Sequence, residues 1–272
     1  MRAIVLICLL ACSAEHHAEK GDEALELHDL TTAEASYRKA LDKDPMHLPA
    51  LEGLAWTYYL ADQRGAAITA FSRCRELDPD RLGCIRGMAS IALGEGEVGR
   101  ARDLLGHALS LSPEDPGVQS SQALLEIRSG DLDQAEERYQ SLVRRFPEQA
   151  EYLLGLAEVQ LRKGQSGQSL ESVDQARTLP SVPARYRARL HVLRARVLVA
   201  ESAGRVDPEK CAETAPTVLE WLDAADASLA QAESTGINPP DLPAARRLIL
   251  RRRGVVEDKC PPVSPSLDLR GL

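Results

Sequence analysis

The chain has 272 residues, a net charge of −8 and 4% aromatic residues. That length holds one or two compact domains or one elongated array, and so few aromatics among abundant Ala, Leu, Glu, Arg and Gln point to helices close-packed on small side chains. Residues 1–182 carry 19 Lys and Arg against 29 Asp and Glu, and residues 183–272 carry 14 against 12, so most of the chain repels phosphate and a nucleic-acid partner is excluded.

The chain starts Met1-Arg2, runs apolar from Ala3 to Leu10, and reaches Ala11-Cys12-Ser13. A positive start, a short apolar stretch and a small residue before the break have the anatomy of an export signal over residues 1–11, too short to span a bilayer. The string Leu9-Leu10-Ala11-Cys12 resembles the lipobox of bacterial lipoproteins. That resemblance implies cleavage before Cys12, which becomes the lipid-bearing first residue and carries acyl chains such as palmitate, and Ser13 in place of Asp implies sorting to the outer membrane. A conventional signal cut after Ala14 and an unprocessed apolar start are the alternatives.

Prolines then fall at 45, 79, 113 and 147, a spacing of 34 held three times. Twelve residues before each stands Ala33, Ala67, Ala101 or Ala135; eight before, Tyr37, Phe71, Leu105 or Tyr139; five before, Ala40, Cys74, Ala108 or Leu142. Such i, i+4, i+7 spacing marks one helix face. The preceding helices show the matching face in Leu51, Leu54, Ala55 and Tyr58 and again in Ile85, Met88, Ala89 and Ala92. Turns are expected near Asp29, Gly65, Gly96 and Asp131, and Pro ends each helix pair because it lacks the N–H and clashes with the preceding turn.

This pattern resembles the tetratricopeptide repeat, best in the unit from Leu48 to Arg81, with units starting near 14, 48, 82 and 116 and a looser one near 150 whose Pro180 comes one residue early. The resemblance implies an all-α fold, a right-handed α-solenoid of helix-turn-helix repeats, with about five repeats over residues 12–182. Residues 183–260 read as a degenerate repeat: a helix from Ala184 to Ser202, a loop from Gly204 to Pro216, a helix from Thr217 to Ser234, and a capping helix from Leu242 to Val256 that covers the open apolar end. Residues 261–272 are expected to be a flexible tail.

With Cys8 leaving in the signal and Cys12 acylated, Cys74, Cys84, Cys211 and Cys260 remain, an even number that suits an oxidising compartment. Three connectivities are open, and proximity in sequence favours Cys74 with Cys84 and Cys211 with Cys260. No metal site is expected, since no C-x2-C pair or following His has ligand spacing.

In arrays of this family the first helix of each pair lines a groove that takes peptides or helices. The resemblance places the partner-binding groove on Glu52, Trp56, Tyr59, Arg86, Leu124, Arg128, Glu158 and Arg162, with Trp56 and Tyr59 as the expected hot spot; packing of Trp56 against a neighbouring repeat is the alternative. The Asn and Lys clamp by which chaperone-binding members grip a terminal carboxylate is absent. The string from Gly94 to Gly99 matches G-x-G-x-x-G but lies between two helices and holds two carboxylates, so it reads as a turn. The arginines of 185–196 and 246–253 either pair with the acidic array or face an anionic partner, and surface pairing is the expectation. No catalytic constellation, cofactor motif or small-molecule site is present in the pattern.

The sequence therefore predicts a non-enzymatic protein-binding scaffold without cofactors: a lipid-anchored outer-membrane protein facing the periplasm, with a protein partner in its groove and a membrane contact through Cys12. Its signal-then-repeats layout is similar to that of lipoproteins that help type IV pilus secretins assemble. A soluble periplasmic adaptor, or an accessory of outer-membrane biogenesis or polysaccharide export, are the other readings.

Overall fold

The computed structural model describes residues 2–261, with side chains from residue 13 onward. The lipidated side chain expected at Cys12 and the tail expected beyond Pro261 lie outside the described residues.

The first compact unit ends at Pro147. It holds four antiparallel helix pairs: α1 (Arg2–Glu26) with α2 (Leu30–Lys43), α3 (Leu48–Leu60) with α4 (Arg64–Leu77), α5 (Leu82–Glu95) with α6 (Val98–Leu111), and α7 (Pro116–Ser129) with α8 (Leu132–Arg145). Within each pair the helices touch, and the first helices also touch from pair to pair, α1 on α3, α3 on α5 and α5 on α7. All twelve periodic positions read from the proline phase are buried, from Ala33, Tyr37 and Ala40 through to Ala135, Tyr139 and Leu142. The small members let helices approach, and the large ones fill the gap to the next pair. Tyr37 sits against Gly21 and Gly53 and donates its hydroxyl to Asp22 Oδ1 at 2.6 Å, while Phe71 sits against Gly87.

The helix exits explain the prolines. Asp44 and Asp78, each just before a proline, adopt extended backbone (φ −137°, ψ 98° and φ −143°, ψ 96°), the conformation that the proline ring imposes on its predecessor. The turns inside the pairs follow the same period with a different residue than expected. Left-handed φ occurs at His28 (60°), Asp62 (57°), Gly96 (78°), Gly130 (89°) and Gly164 (75°), each one 34 residues after the last. Gly96 agrees with the sequence expectation. Gly65 does not: it lies inside α4, and the turn before it is made by Asp62. Asp29 and Asp131 are the residues next to the left-handed position, where Asp29 caps α2 by accepting the Thr32 amide at 3.0 Å.

The second unit begins at Glu148 and contains α9 (Ala150–Arg162), α10 (Ser166–Arg177), α11 (Ala184–Glu201), a 3-10 turn (Pro208–Lys210), α12 (Cys211–Ser234) and α13 (Leu242–Lys259). The compact units thus divide inside the repeat array and not at residue 182. The fifth helix pair is tied to α11 by Tyr186 to Glu151 (2.7 Å), Arg196 to Glu158 (2.8 Å) and Arg194 to Asp174 (3.2 Å), so it shares its packing with the C-terminal helices. Their core is Val192, Ala195, Leu198, Val218, Leu222, Leu229 and Ile249, with Leu170 of α10 packed against it. As expected, α13 covers this core, through Leu242, Ala245, Ile249 and Val256.

The expected loop from Gly204 to Pro216 is shorter, because α12 starts at Cys211 and runs through Pro216. Pro216 removes one N–H from the second turn, and the first turn is held from outside: Thr214 Oγ1 donates to the Lys210 carbonyl at 3.0 Å, and Cys211 is bonded to Cys260. Cys74 is likewise bonded to Cys84, joining α4 to α5. These are the pairings that sequence proximity favours.

Candidate functional site

The first helices of the pairs in the first unit place Trp56 and Tyr59 on α3, Arg86 on α5, and Leu124 and Arg128 on α7. Trp56 meets Tyr59 edge-on with ring centroids 5.5 Å apart, and on its other side meets Phe71 edge-on at 5.3 Å. Trp56 is therefore partly packed on the core and partly open beside Tyr59, which is 36% exposed. Leu124 stands in the place of Trp56 two repeats on, 41% exposed, and Arg128 is exposed one turn further with no ion pair among the described residues. Ser90 takes the same place on the intervening α5.

The other groove residues of the sequence reading serve internal contacts. Glu52 accepts Arg81 Nε at 2.6 Å and fills the space beside Gly83. Arg86 lies against Gly117 and donates to Ser121 Oγ at 3.3 Å. In the second unit Glu158 bridges Arg162 (2.9 Å) and Arg196 (2.8 Å); burial works against its charge, but hydrogen bonds and charge from Arg196 and then Arg162 hold its carboxyl below the usual range. Glu158 thus clasps α9 to α11, with Arg162 supporting its carboxylate from the same helix.

A polar network in the fourth repeat has no counterpart in the sequence expectations. Glu126 is buried and accepts Arg138 Nη2 at 2.7 Å and Nε at 3.1 Å, with Gln119 accepting from the same guanidinium and Gln122 donating to Glu126 at 3.4 Å. The available signal was the replacement of the apolar places of Leu51, Leu54 and Tyr58 by Gln119, Gln122 and Glu126. Of the C-terminal arginines, Arg194, Arg196, Arg246 and Arg253 pair with carboxylates, Arg253 with both Asp223 (2.6 Å) and Asp226 (2.8 Å); Arg252 bonds Ser202. The surface-pairing account fits the first four; Arg189, Arg247 and Arg251 are exposed.

The G-x-G-x-x-G string is a helix-to-helix turn, with Gly94 and Glu95 ending α5, Gly96 left-handed and Val98 opening α6. Among the described residues no group of three or more His, Cys, Asp or Glu is placed to hold a metal ion, and no helix is long and apolar enough to cross a membrane.

These features define an all-α repeat solenoid built from stacked helix pairs. It is a tetratricopeptide repeat protein: the family model described as Tetratricopeptide repeat matches residues 19–81 and 120–183. No curated protein sequence matches the chain. Among solved structures it is similar to a tetratricopeptide repeat protein from Parabacteroides merdae (17% identity over 87% of this chain and 84% of that one, TM-score 0.64). It is also similar to a thermophilic protein of the same repeat from Thermus thermophilus (19% identity, 66% and 98%, TM-score 0.59) and to pilF of Pseudomonas aeruginosa (16% identity, 86% and 97%, TM-score 0.50). At these identities the likeness is one of fold.

Proposed function

We propose that the chain is a scaffold that binds another polypeptide along α3, α5 and α7, and that a lipid on Cys12 holds it at the outer membrane, where it assists assembly of an envelope complex. The observation that carries the binding reading is the row formed by the half-buried Trp56 and the exposed Tyr59, Leu124 and Arg128. It combines a rigid aromatic pair, an aliphatic side chain and an unpaired cation, the mixture that concentrates binding energy at protein interfaces. The anchor reading rests on the Leu9-Leu10-Ala11-Cys12 string, and the two disulfides accord with an oxidising compartment. Secretin assembly for type IV pili is the specific process we favour, supported by the signal-then-repeats layout.

The binding face is tested by replacing Trp56 and Tyr59 with Ala and Arg128 with Glu, then crosslinking in envelope fractions. Loss of partner capture with the helical circular dichroism signal retained is the expected result, the melting temperature falling because Trp56 also packs on Phe71; capture at full strength moves the interface elsewhere. The anchor is tested separately with Cys12→Ser and membrane fractionation. Unchanged membrane retention of that variant removes the lipid from the account while leaving the binding face standing.

A further inference from the structure

The corner between α10 and α11 contains a pocket of about 210 Å3. It forms where Pro180 arrives one residue early, so that residues 178–183 cross from helix to helix over a longer path than the repeat uses elsewhere. Leu179, Val182 and Leu190 give it an apolar wall, and Arg177, Arg187 and His191 line the rest.

The charge there is not balanced. Arg177 and Arg194 share one carboxylate, Asp174, at 2.8 and 3.2 Å. Arg187 donates to the Val182 carbonyl at 3.0 Å and has no carboxylate partner among the described residues. Three guanidinium groups thus stand against one carboxylate. The larger open cleft on α8, about 380 Å3, differs in this respect: its Arg138 and Arg145 are paired with Glu126 and Glu114.

His191 adds a second observation. Its Nδ1 is enclosed and has no hydrogen-bond partner. Burial, then the charges of Arg177, Arg194 and Arg187, hold its pKa below the ordinary imidazole value. The ring is therefore neutral near pH 7, and the proton belongs on Nε2, because an N–H enclosed without an acceptor is the more costly arrangement. The charges that act on the ring are Arg177 from α10 and Arg187 and Arg194 from α11, Arg177 and Arg194 being paired with Asp174; α12 contributes the uncharged Ser228 hydroxyl, which Arg194 contacts at 2.9 Å.

We propose that this pocket binds an organic carboxylate carried on a short branched aliphatic group, with Arg187 and Arg177 taking the carboxylate, His191 donating from Nε2, and the aliphatic part lying on Leu179, Val182 and Leu190. Arginine supplies the planar paired donors that match a carboxylate. The space is smaller than the roughly 300–1,000 Å3 of sites that enclose a whole small ligand, so it accepts an end group. The terminal residue of a polypeptide and a free aliphatic acid share this chemistry. None of the pocket residues belongs to the α3, α5 and α7 row, so the site stands or falls independently of it.

The test uses the full chain, isotopically labelled, with the His191 ring followed by NMR while four probes are titrated: acetyl-Ala-Leu, its C-terminal amide, 4-methylpentanoate and inorganic phosphate. The expected result is saturable binding of acetyl-Ala-Leu with a rise in the His191 pKa, because a bound anion favours the protonated ring, and no binding of the amide. Arg187→Gln and His191→Gln should each weaken binding by about tenfold or more, the scale of a lost charge-assisted contact, with melting temperatures near the parent value. Equal affinity for 4-methylpentanoate supports the site and assigns its ligand to free acids. Binding of the amide as tight as that of the acid, phosphate as good as either carboxylate, no response of His191, or unchanged affinity in both variants overturns the proposal.

Discussion

The ring of Phe71 occupies the space that a side chain on Gly87 would need: a Cβ there would fall 2.1 Å from the ring Cζ. Phe71 is fully buried, so the ring has nowhere to retreat. The same relation joins Tyr37 to Gly53, at 2.3 Å from a Cβ to Cζ. In these two repeats glycine is thus the partner of the bulky residue, and close packing of the adjacent pair depends on it.

Gly87→Ala should therefore destabilise the protein by about 1–3 kcal/mol through overpacking, despite the roughly 1 kcal/mol that Ala gains over Gly in a helix. Gly94→Ala, in the same helix but with nothing within 4 Å of its Cβ, should show that helical gain alone and raise the melting temperature. Urea melts of both variants check the contrast, and equal signs would mean that the ring moves aside.

Glu126 and Arg138 occupy places that hold Ala92 and Leu104 one repeat earlier. Arg138→Leu alone leaves a carboxylate that is 5% exposed without its main partner, and should cost about 3–5 kcal/mol. The double change Glu126→Ala with Arg138→Leu transplants the apolar pair, and should recover most of that loss. A double-mutant cycle in chemical denaturation reads the coupling directly.

The two disulfides should differ in how they are lost. Cys211 and Cys260 are partly exposed, whereas Cys74 and Cys84 are fully enclosed. Mild reductant under native conditions should open the first pair alone, as seen by thiol alkylation and mass spectrometry. Because that bond closes a span of 49 residues, its removal should destabilise the second unit by about 4 kcal/mol in the chain-entropy model.

Stability should also fall on mild acidification. His191 has its pKa lowered in the folded chain, first by burial and then by Arg177, Arg194 and Arg187, so the unfolded chain binds its proton more readily. The contribution of this group is complete above the ordinary imidazole value of about 6.5 and declines as pH falls below it toward the folded value. His191→Gln should remove that part of the pH dependence in thermal melts between neutral pH and pH 5.

The repeat was legible because its signals are local and strict. A proline every 34 residues, with small and bulky residues at fixed distances before it, encodes helix ends and one buried face without reference to anything distant. The turn residue was harder to read, since His28 and Asp62 take the left-handed place that glycine fills in the next three repeats; residue type alone pointed to Gly65. The groove list was legible as positions and not as availability. Glu52, Arg86, Glu158 and Arg162 stand on the helices that the pattern gives them, yet Glu52, Arg86 and Glu158 are engaged from outside their own helix by Arg81, Ser121 and Arg196, and Arg162 pairs with Glu158 within α9.

By itself, then, the sequence determined that the chain folds as helix pairs on a 34-residue period, which residues of each pair face inward, and where each pair stops. The reason is that helical periodicity, proline's missing donor and the size of a side chain act within one or two turns. Only the tertiary structure decided that the fifth pair packs with α11, that α12 begins before Pro216, that Trp56 is part core and part surface, and that Arg177, Arg187 and His191 line one pocket at the α10–α11 corner. Those outcomes depend on which partner a side chain meets from another helix, and pairing of that kind has no fixed spacing along the chain.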